Sequence, residues 1–378
     1  MSEKGERTLK FDAKKSARKG VAELPPYVPG KPEWEIQKEY GVKEVIKLAS
    51  NESPLPPPES VVEAACRAVA GASRYPDGAC TDLKAALAER LMFNPGSMML
   101  GTGADECIRI IAMSFIRPGT RCVIPVPSFD AYRNVCVVAG AEVVTVPSGG
   151  DLDVDLEATL AAVDGDTSAV WLCSPNNPTG KIIEKDDFER FLERLPENVL
   201  VILDEAYREF VTAGNAVKGE DYIEDGRVIS LRTFSKAFAL AGLRVGYAVA
   251  HPSLVDVMNR VRSPFNVSLP AQAAALASLQ EEDFVAKLTS LIVREREFLR
   301  LELAKRWCPA PASQANFLFA KTPKPAREVF ESLLPLGVAI RPGDAWEMTD
   351  RVRITVGDRE QNTKLLHALD QVLGAQGG

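Results

Sequence analysis

The feature that most limits the possible folds is a regular alternation of helical and strand patterns between residues 60 and 250. Short apolar runs predict six strands, at 122–124, 142–146, 169–173, 199–203, 228–231 and 246–250. Stretches with apolar residues three and four positions apart, such as 184–195, predict helices between several of them. Strands that alternate with helices form a largely parallel sheet. We therefore expect an α/β fold whose ligand lies beyond the carboxyl ends of the strands.

The pattern changes after Pro264. Helical patterns and shorter strand patterns predict a smaller α+β domain, with helices at 269–279, 284–307 and 361–373 and strands at 316–319, 338–340 and 352–356. The proline-rich N-terminal residues are expected to be irregular. The expected division is an N-terminal arm with part of the small domain at 1–45, a large domain at 46–263 and a small C-terminal domain at 264–378.

Composition excludes several kinds of chemistry. The net charge of −7 argues against binding to nucleic acid or an anionic membrane, and no apolar run approaches the roughly 18–20 residues of a membrane span. The two histidines, His251 and His367, are far apart, so we expect neither a Ser-His-Asp triad nor a metal site. Seven cysteines without a Cys-x-x-Cys pattern are typical of reduced thiols in the cytoplasm.

Lys236 is the first candidate for chemistry. It ends the segment Thr233-Phe234-Ser235-Lys236, which follows the strand pattern at 228–231, and Arg244 comes eight positions later. Two hydroxyl groups and an arginine near one lysine would suit a phosphate bound beside an imine-forming amine. The alternative is an ordinary surface lysine.

Two further segments end strand patterns with polar side chains. Asp204 follows the run 199–203, where it could keep a pyridine nitrogen protonated, and Tyr207 could bind an oxygen of the same ring. Asn177 lies in the proline-framed loop at 174–180 and could reach that oxygen as well. The alternatives are a helix cap for Asp204 and ordinary turn chemistry for the loop.

A glycine-containing segment, Gly101-Thr102-Gly103-Ala104-Asp105, precedes the helical run 107–115. Free N–H groups at a helix start favour a phosphate site. A dinucleotide fingerprint is disfavoured because Glu106 stands at the third glycine position. A Walker A loop before Lys181 is excluded because Pro175 stands where its first glycine is required.

Arginines near the C-terminal end suit anion binding. Alternation along the strand pattern at 352–356 places Arg351 and Arg353 on one face, and Arg341 lies in the preceding segment. An arginine that faces a cleft can bind a carboxylate or phosphate through two hydrogen bonds. A surface ion pair is the alternative, and it suits Arg351 better than Arg353.

Together these segments resemble fold-type I pyridoxal-phosphate enzymes, and specifically the histidinol-phosphate aminotransferase family. The resemblance covers nearly the whole chain, through 26–31, 48–52, 74–76, 174–180, 204–207, 233–246 and 353–357. It implies an α/β fold with a large, mostly parallel sheet and a smaller α+β domain. It also implies a homodimer that uses pyridoxal 5′-phosphate to move an amino group between glutamate and imidazole-acetol phosphate.

The resemblance implies a role for each matching residue. Lys236 would carry the cofactor, Asp204 would pair with its ring nitrogen, and Phe129 would stack on its ring. Tyr207 and Asn177 would hold the ring oxygen. The phosphate would lie among Gly103, Ala104, Asp105, Thr233, Ser235 and Arg244, with Tyr75 reaching the cofactor of the partner subunit. Substrate would be bound by Arg353, Arg341, Tyr27 and Asn51.

Other functions stay open at this point. The segment Asn51-Glu52-Ser53-Pro54-Leu55-Pro56 departs from the Asn-Glu-Asn-Pro-Leu-Gly that is usual in this family. An aromatic-amino-acid aminotransferase, a phosphothreonine-type decarboxylase and a non-catalytic ligand-sensing protein are the alternatives. A sensing protein would normally carry an added DNA-binding module, and a non-catalytic one would be expected to lack the lysine.

Overall fold

A computed structural model describes residues 11–26 and 30–374. The strands within these residues are β1 Ile46–Lys47, β2 Met98–Gly101, β3 Arg121–Val126, β4 Glu142–Pro147, β5 Thr167–Cys173, β6 Leu200–Asp204, β7 Val228–Thr233, β8 Gly246–Ala250, β9 Phe317–Lys321, β10 Val338–Ala339, β11 Arg341–Pro342 and β12 Arg351–Thr355. The helices are α1 Ala13–Ser16, α2 Glu33–Tyr40, α3 Glu59–Val69, α4 Thr81–Leu91, α5 Ala104–Phe115, α6 Asp130–Ala139, α7 Leu156–Ala161, α8 Lys185–Arg194, α9 Pro252–Val261, α10 Leu269–Ser278, α11 Glu282–Ala304, α12 Ala326–Leu333 and α13 Arg359–Leu373.

The large sheet has seven strands in the order β2-β8-β7-β6-β5-β3-β4. The pairs among β3, β4, β5, β6 and β7 are parallel, and β8 is antiparallel to both of its neighbours. Every residue of β5, β7 and β8 is buried, as expected for strands whose two faces are both covered. The prediction of an α/β fold with a largely parallel sheet is confirmed.

Helices cover both faces of this sheet, because alternate residues of one strand point to opposite sides. Trp171 of β5 packs on the face covered by α5, α6 and α9. Its neighbours Val170 and Leu172 pack on the opposite face, where Phe188 and Phe191 of α8 are buried. Helices therefore cover both faces of the sheet, and a ligand can reach it only at the ends of the strands.

A smaller antiparallel sheet has the order β11-β12-β9. A separate parallel pair, β1 with β10, joins the start of the large-sheet region to this C-terminal part. The N-terminal residues are less irregular than expected, since Ile36 of α2 is buried against Leu334 and Ala339. Only Ile36 of this eight-residue helix is buried, so the sequence carries little amphipathic signal there. The boundaries at 45/46 and 263/264 stay a prediction.

The helices described here are all too short or too polar to cross a membrane.

Candidate active site

A pocket opens beyond the carboxyl ends of three neighbouring strands of the large sheet. Cys173, Asp204 and Thr233 stand at the ends of β5, β6 and β7 and line it. Its volume is about 320 Å³, which lies within the range of pockets that hold cofactors and small ligands. The pocket is therefore where the strand order predicts it.

Lys236 lies in this pocket, just after the end of β7. Its Nζ donates a hydrogen bond to the carbonyl oxygen of Ser50 at 3.2 Å and stands 5.7 Å from the centre of the Tyr207 ring. The surrounding protein disfavours the charged ammonium, and the positive charge of Arg353 disfavours it further. Together these lower the pKa of Lys236 to about 8. The amine is thus prepared for proton transfer near neutral pH.

Asp204 is buried at the end of β6 and accepts two hydrogen bonds. The Tyr132 hydroxyl donates to Oδ2 at 2.7 Å, and the backbone N–H of Ala206 donates to Oδ1 at 3.0 Å. Burial raises the pKa of Asp204 to about 6, although both hydrogen bonds act to lower it. The bond to Ala206 is a local turn and not a helix cap, because the next helical turn, Arg208–Phe210, has Tyr207 at its N-cap position. The Asp204 carboxylate lines the pocket.

Tyr132 is a site residue that sequence reasoning missed. It is fully buried in α6, stacks on Trp171 with ring centres 5.3 Å apart, and meets Phe129 edge to face at 5.7 Å. The available signal was helical spacing, because residues three positions apart lie on the same face of a helix. An aromatic residue three positions after Phe129 therefore faces the same pocket.

Arg353 is buried where the two sheets approach each other. Its Nη1 donates to Oδ1 of Asn177, and its Nη2 donates to the carbonyl oxygen of Ala49, both at 2.6 Å. The Trp346 ring lies over the guanidinium, with its centre 5.3 Å from the Cζ atom. Arg341 is the direct partner of Arg353 on the neighbouring strand. Two of the predicted arginines thus line one pocket.

Asn51 also lines the pocket, where its side chain contacts another predicted residue. The Nδ2 atom of Asn51 donates to the Tyr207 hydroxyl at 3.0 Å. Ala49, Ser50 and Asn51 therefore contact Arg353, Lys236 and Tyr207 in turn. This short segment after β1 orients three functional side chains at once.

Polar groups suited to an anion gather at the other end of the pocket. Arg244 donates from Nη1 to the Ser235 hydroxyl at 3.3 Å and pairs through Nη2 with Asp105 at 3.2 Å. The Thr233 hydroxyl donates to that of Ser235 at 3.0 Å. Thr233, Ser235, Arg244, Asp105 and Ala104, the first residue of α5, all line the pocket. Arginine, hydroxyl groups and a helix start together favour a phosphate.

Gly103 contributes by its lack of a side chain. It precedes α5 with a φ of +76°, a conformation that favours glycine, and a Cβ atom there would overlap the guanidinium of Arg244. Gly103 therefore lets Arg244 lie against the start of the helix. It is not among the residues that line the pocket itself.

Tyr75 is a second predicted residue that does not line this pocket. It is 82% exposed and stacks on Phe265, with ring centres 4.7 Å apart. Tyr27 lies outside the described residues.

The fold and the pocket together define a class of protein: an α/β enzyme with a lysine at the strand ends, polar groups suited to a phosphate on one side and two arginines on the other. Comparison with known proteins agrees with this class. The family model described as "Aminotransferase class I and II" matches residues 43–369.

The individual relatives identify a narrower family within this group. The chain is 42% identical to the histidinol-phosphate aminotransferase of Moorella thermoacetica, covering 94% of this chain and 92% of that one. It is 38% identical to the same enzyme of Caldicellulosiruptor saccharolyticus, covering 94% and 99%. The crystal structure of histidinol-phosphate aminotransferase from Sinorhizobium meliloti, in complex with pyridoxal 5′-phosphate, superposes with a TM-score of 0.88 at 28% identity, covering 96% of this chain and 99% of that one. The chain therefore belongs to the class I and II aminotransferases and, within them, to the histidinol-phosphate aminotransferase family.

Proposed function

We propose that this protein is a pyridoxal-phosphate-dependent aminotransferase that moves an amino group between glutamate and imidazole-acetol phosphate, giving histidinol phosphate in histidine biosynthesis. One observation carries the substrate assignment. Arg341 and Arg353, paired across β11 and β12, line the same pocket as Lys236. Two neighbouring guanidinium groups suit the double negative charge of a phosphate monoester.

The donor set of the pocket fits pyridoxal phosphate. Arg244, Ser235 and Thr233 would hold its phosphate at the start of α5, with Ala104 and Asp105 beside them. Phe129 would cover the ring, and Asp204 would keep the ring nitrogen protonated. When bound, pyridoxal phosphate supplies an electron-withdrawing ring that stabilises negative charge at the substrate α-carbon.

Two side chains would donate to the ring oxygen. Oδ1 of Asn177 accepts from Arg353, so its amide Nδ2 is left to face the pocket. The Tyr207 oxygen accepts from Asn51, so its own proton is left to donate. Hydrogen bonds within the protein support both roles.

Lys236 would hold and move the substrate α-proton. With a pKa of about 8, roughly a tenth of the amine is uncharged at pH 7, against well under a thousandth for an ordinary lysine. The Nζ atom can therefore accept a proton from one carbon and return it to another. Arg353 would bind a carboxylate when glutamate is present and a phosphate when the acceptor is present, since a guanidinium binds both.

We also propose a cytoplasmic homodimer with the three-part division given above. The supporting observation is the exposed pair formed by Tyr75 and Phe265, which are 82% and 43% exposed. Aromatic side chains are enriched at protein interfaces, so a second subunit would be expected to cover this pair. The family resemblance then implies that Tyr75 would reach the partner's cofactor.

The substrate assignment is tested by loading the protein with pyridoxal phosphate and glutamate and then offering one of two acceptors. With pyridoxal phosphate alone, we expect a visible absorption band and fixation of the cofactor to Lys236 by borohydride. After glutamate is added, we expect a strong preference for imidazole-acetol phosphate as the acceptor. A strong preference for phenylpyruvate would instead identify an aromatic-amino-acid aminotransferase. Release of carbon dioxide from phosphothreonine, offered in place of glutamate and without an acceptor, would identify a decarboxylase.

A pair of arginine variants tests the anion site. Arg353→Lys removes the planar fork of donors, so we expect kcat/KM for both substrates to fall by about tenfold or more. Arg351→Lys is the matched control, because Arg351 lies on the same strand and contacts Phe319. Equal losses in the two variants would contradict a substrate role for Arg353.

A further inference from the structure

One strand of the smaller sheet is linked by hydrogen bonds to both side chains that would donate to the cofactor ring oxygen. Arg353 and Thr355 are two positions apart on β12 and so point to the same face. Arg353 donates directly to Asn177. Thr355 reaches Tyr207 through one intermediate, Asn51.

The second connection is a directed chain of hydrogen bonds. The backbone N–H of Asn51 donates to the Thr355 hydroxyl at 2.9 Å, and that hydroxyl donates to Oδ1 of Asn51 at 3.3 Å. The Nδ2 atom of Asn51 then donates to the Tyr207 hydroxyl at 3.0 Å. An amide oxygen only accepts and an amide nitrogen only donates, so Thr355 decides which way the Asn51 side chain is turned.

The chain is shielded from water and fixed at its centre. Asn51, Thr355 and Tyr207 are 1%, 2% and 5% exposed, so water does not compete for these bonds. Asn51 has a φ of +54°, and its carbonyl oxygen accepts from Asn316 at 3.1 Å. The charged groups around the Tyr207 ring are Lys236, Arg353 and Asp204.

We propose that Thr355 is a positioning residue, which acts through Asn51 to turn the Tyr207 hydroxyl so that its proton points at the ring oxygen of the bound cofactor. The inference rests on the proposed function and adds a residue to it. Strand β12 would then set both donors to that oxygen, one through Arg353 and one through Thr355. The small sheet would in this way control both hydrogen bonds to the ring oxygen of the cofactor, which is held by residues of the large sheet.

The test is a pH titration of the visible band of the cofactor-loaded protein. A hydrogen bond donated to the ring oxygen stabilises its negative charge. Losing that bond therefore raises the pKa of the bound cofactor, which the visible band reports. We expect a rise of about one unit in Tyr207→Phe, from the usual strength of a hydrogen bond to a charged group. Thr355→Val should give about half of that rise or more, and Thr355→Ser, which keeps the hydroxyl, should leave the pKa unchanged.

A double variant separates this role from a general loss of structure. If Thr355 acts through Tyr207, Thr355→Val should add no further shift in a Tyr207→Phe background. Asn51→Asp serves if Thr355→Val fails to fold, because aspartate also tolerates the left-handed backbone at this position. A carboxylate there would accept the tyrosine proton, and its negative charge would also favour the protonated form, so we expect a rise at least as large as that of Tyr207→Phe.

Two outcomes would overturn the role of Thr355 and leave the proposed function intact. The first is a visible band whose pKa rises in Tyr207→Phe but not in Thr355→Val or Asn51→Asp. The second is a full additional shift in the double variant. A band that does not respond to Tyr207→Phe would also refute it, since Tyr207 would then not donate to the ring oxygen. Failure of the wild-type protein to form any visible band with pyridoxal phosphate would instead refute the proposed function.

Discussion

Removing the hydroxyl of Tyr132 should weaken cofactor binding at low pH, relative to the wild-type protein. Tyr132 donates to Oδ2 of the buried Asp204 at 2.7 Å, and this bond opposes the rise in the pKa of Asp204 that burial causes. Tyr132→Phe keeps the ring that stacks on Trp171 and removes only the donor. The carboxylate should therefore become easier to protonate in the cofactor-free protein.

The size of the effect follows from the strength of the lost bond. A hydrogen bond to a charged group contributes about 1.5–3 kcal/mol, or roughly one to two pKa units. A rise of about 1.5 units would move the pKa of Asp204 from about 6 to about 7.5. Because the ring nitrogen requires the carboxylate form, binding must then displace a proton. Relative to wild type, the affinity should fall about eightfold at pH 6.5, about twofold at pH 7.5 and negligibly at pH 8.5.

The assay is a titration of cofactor-free protein with pyridoxal phosphate, followed by visible absorption at these three pH values. The ratio of variant to wild-type dissociation constants cancels the titration of the cofactor itself. Tyr222→Phe is the matched control, since it also removes a tyrosine–carboxylate bond, to Glu189 at 3.0 Å, but outside the pocket. A ratio that stays constant or grows with rising pH would refute the reasoning.

Two further predictions concern the lysine and the phosphate site. Lys236 of the cofactor-free protein should combine with pyridoxal phosphate at a rate that rises with pH to a plateau. The midpoint of this rise should lie near pH 8, because burial lowers the pKa of the amine. A midpoint near pH 10.5 in stopped-flow measurements would contradict this. Gly103→Ala should displace Arg244 and weaken cofactor binding by about tenfold or more, measured by absorption titration. Gly119→Ala is its control, with a similar φ of +82° and open space around the Cβ position, so it should lower thermal stability but leave cofactor binding intact.

The sequence was sufficient to place those site residues whose position follows from the ends of strands. Asp204, Thr233 and Lys236 follow buried apolar runs, and the carboxyl ends of parallel strands meet at one edge of a sheet. The direction of β8 was not predicted. The connection from β7 to β8 contains Lys236, Arg244 and a short 3₁₀ turn, Ala241–Leu243, in place of a crossover helix, and that is typical of antiparallel neighbours.

Contacts between distant parts of the chain could not be predicted. Asn51 was expected to contact substrate, and its position in the pocket allows this, but its side chain is also bonded to Tyr207 and Thr355. Residues 51 and 355 are 304 positions apart, and a single sequence contains no signal for their pairing. Local patterns identify which residues carry chemistry, whereas the side chains that orient them depend on how the two sheets pack.

The location of the histidines strengthens the assignment of Lys236 as the group that moves protons. His251 caps the N-terminus of α9 and His367 lies within α13, so both are committed to helices away from the strand ends that form the pocket. Two other titratable groups that line the pocket are less suited to this role, because Asp204 is bonded to Tyr132 and burial holds the pKa of Tyr207 well above its usual range. Lys236 combines access to the pocket with a pKa near neutrality. The residue that would carry the cofactor is therefore also the best-placed base, and one substitution, Lys236→Ala, should abolish both functions together.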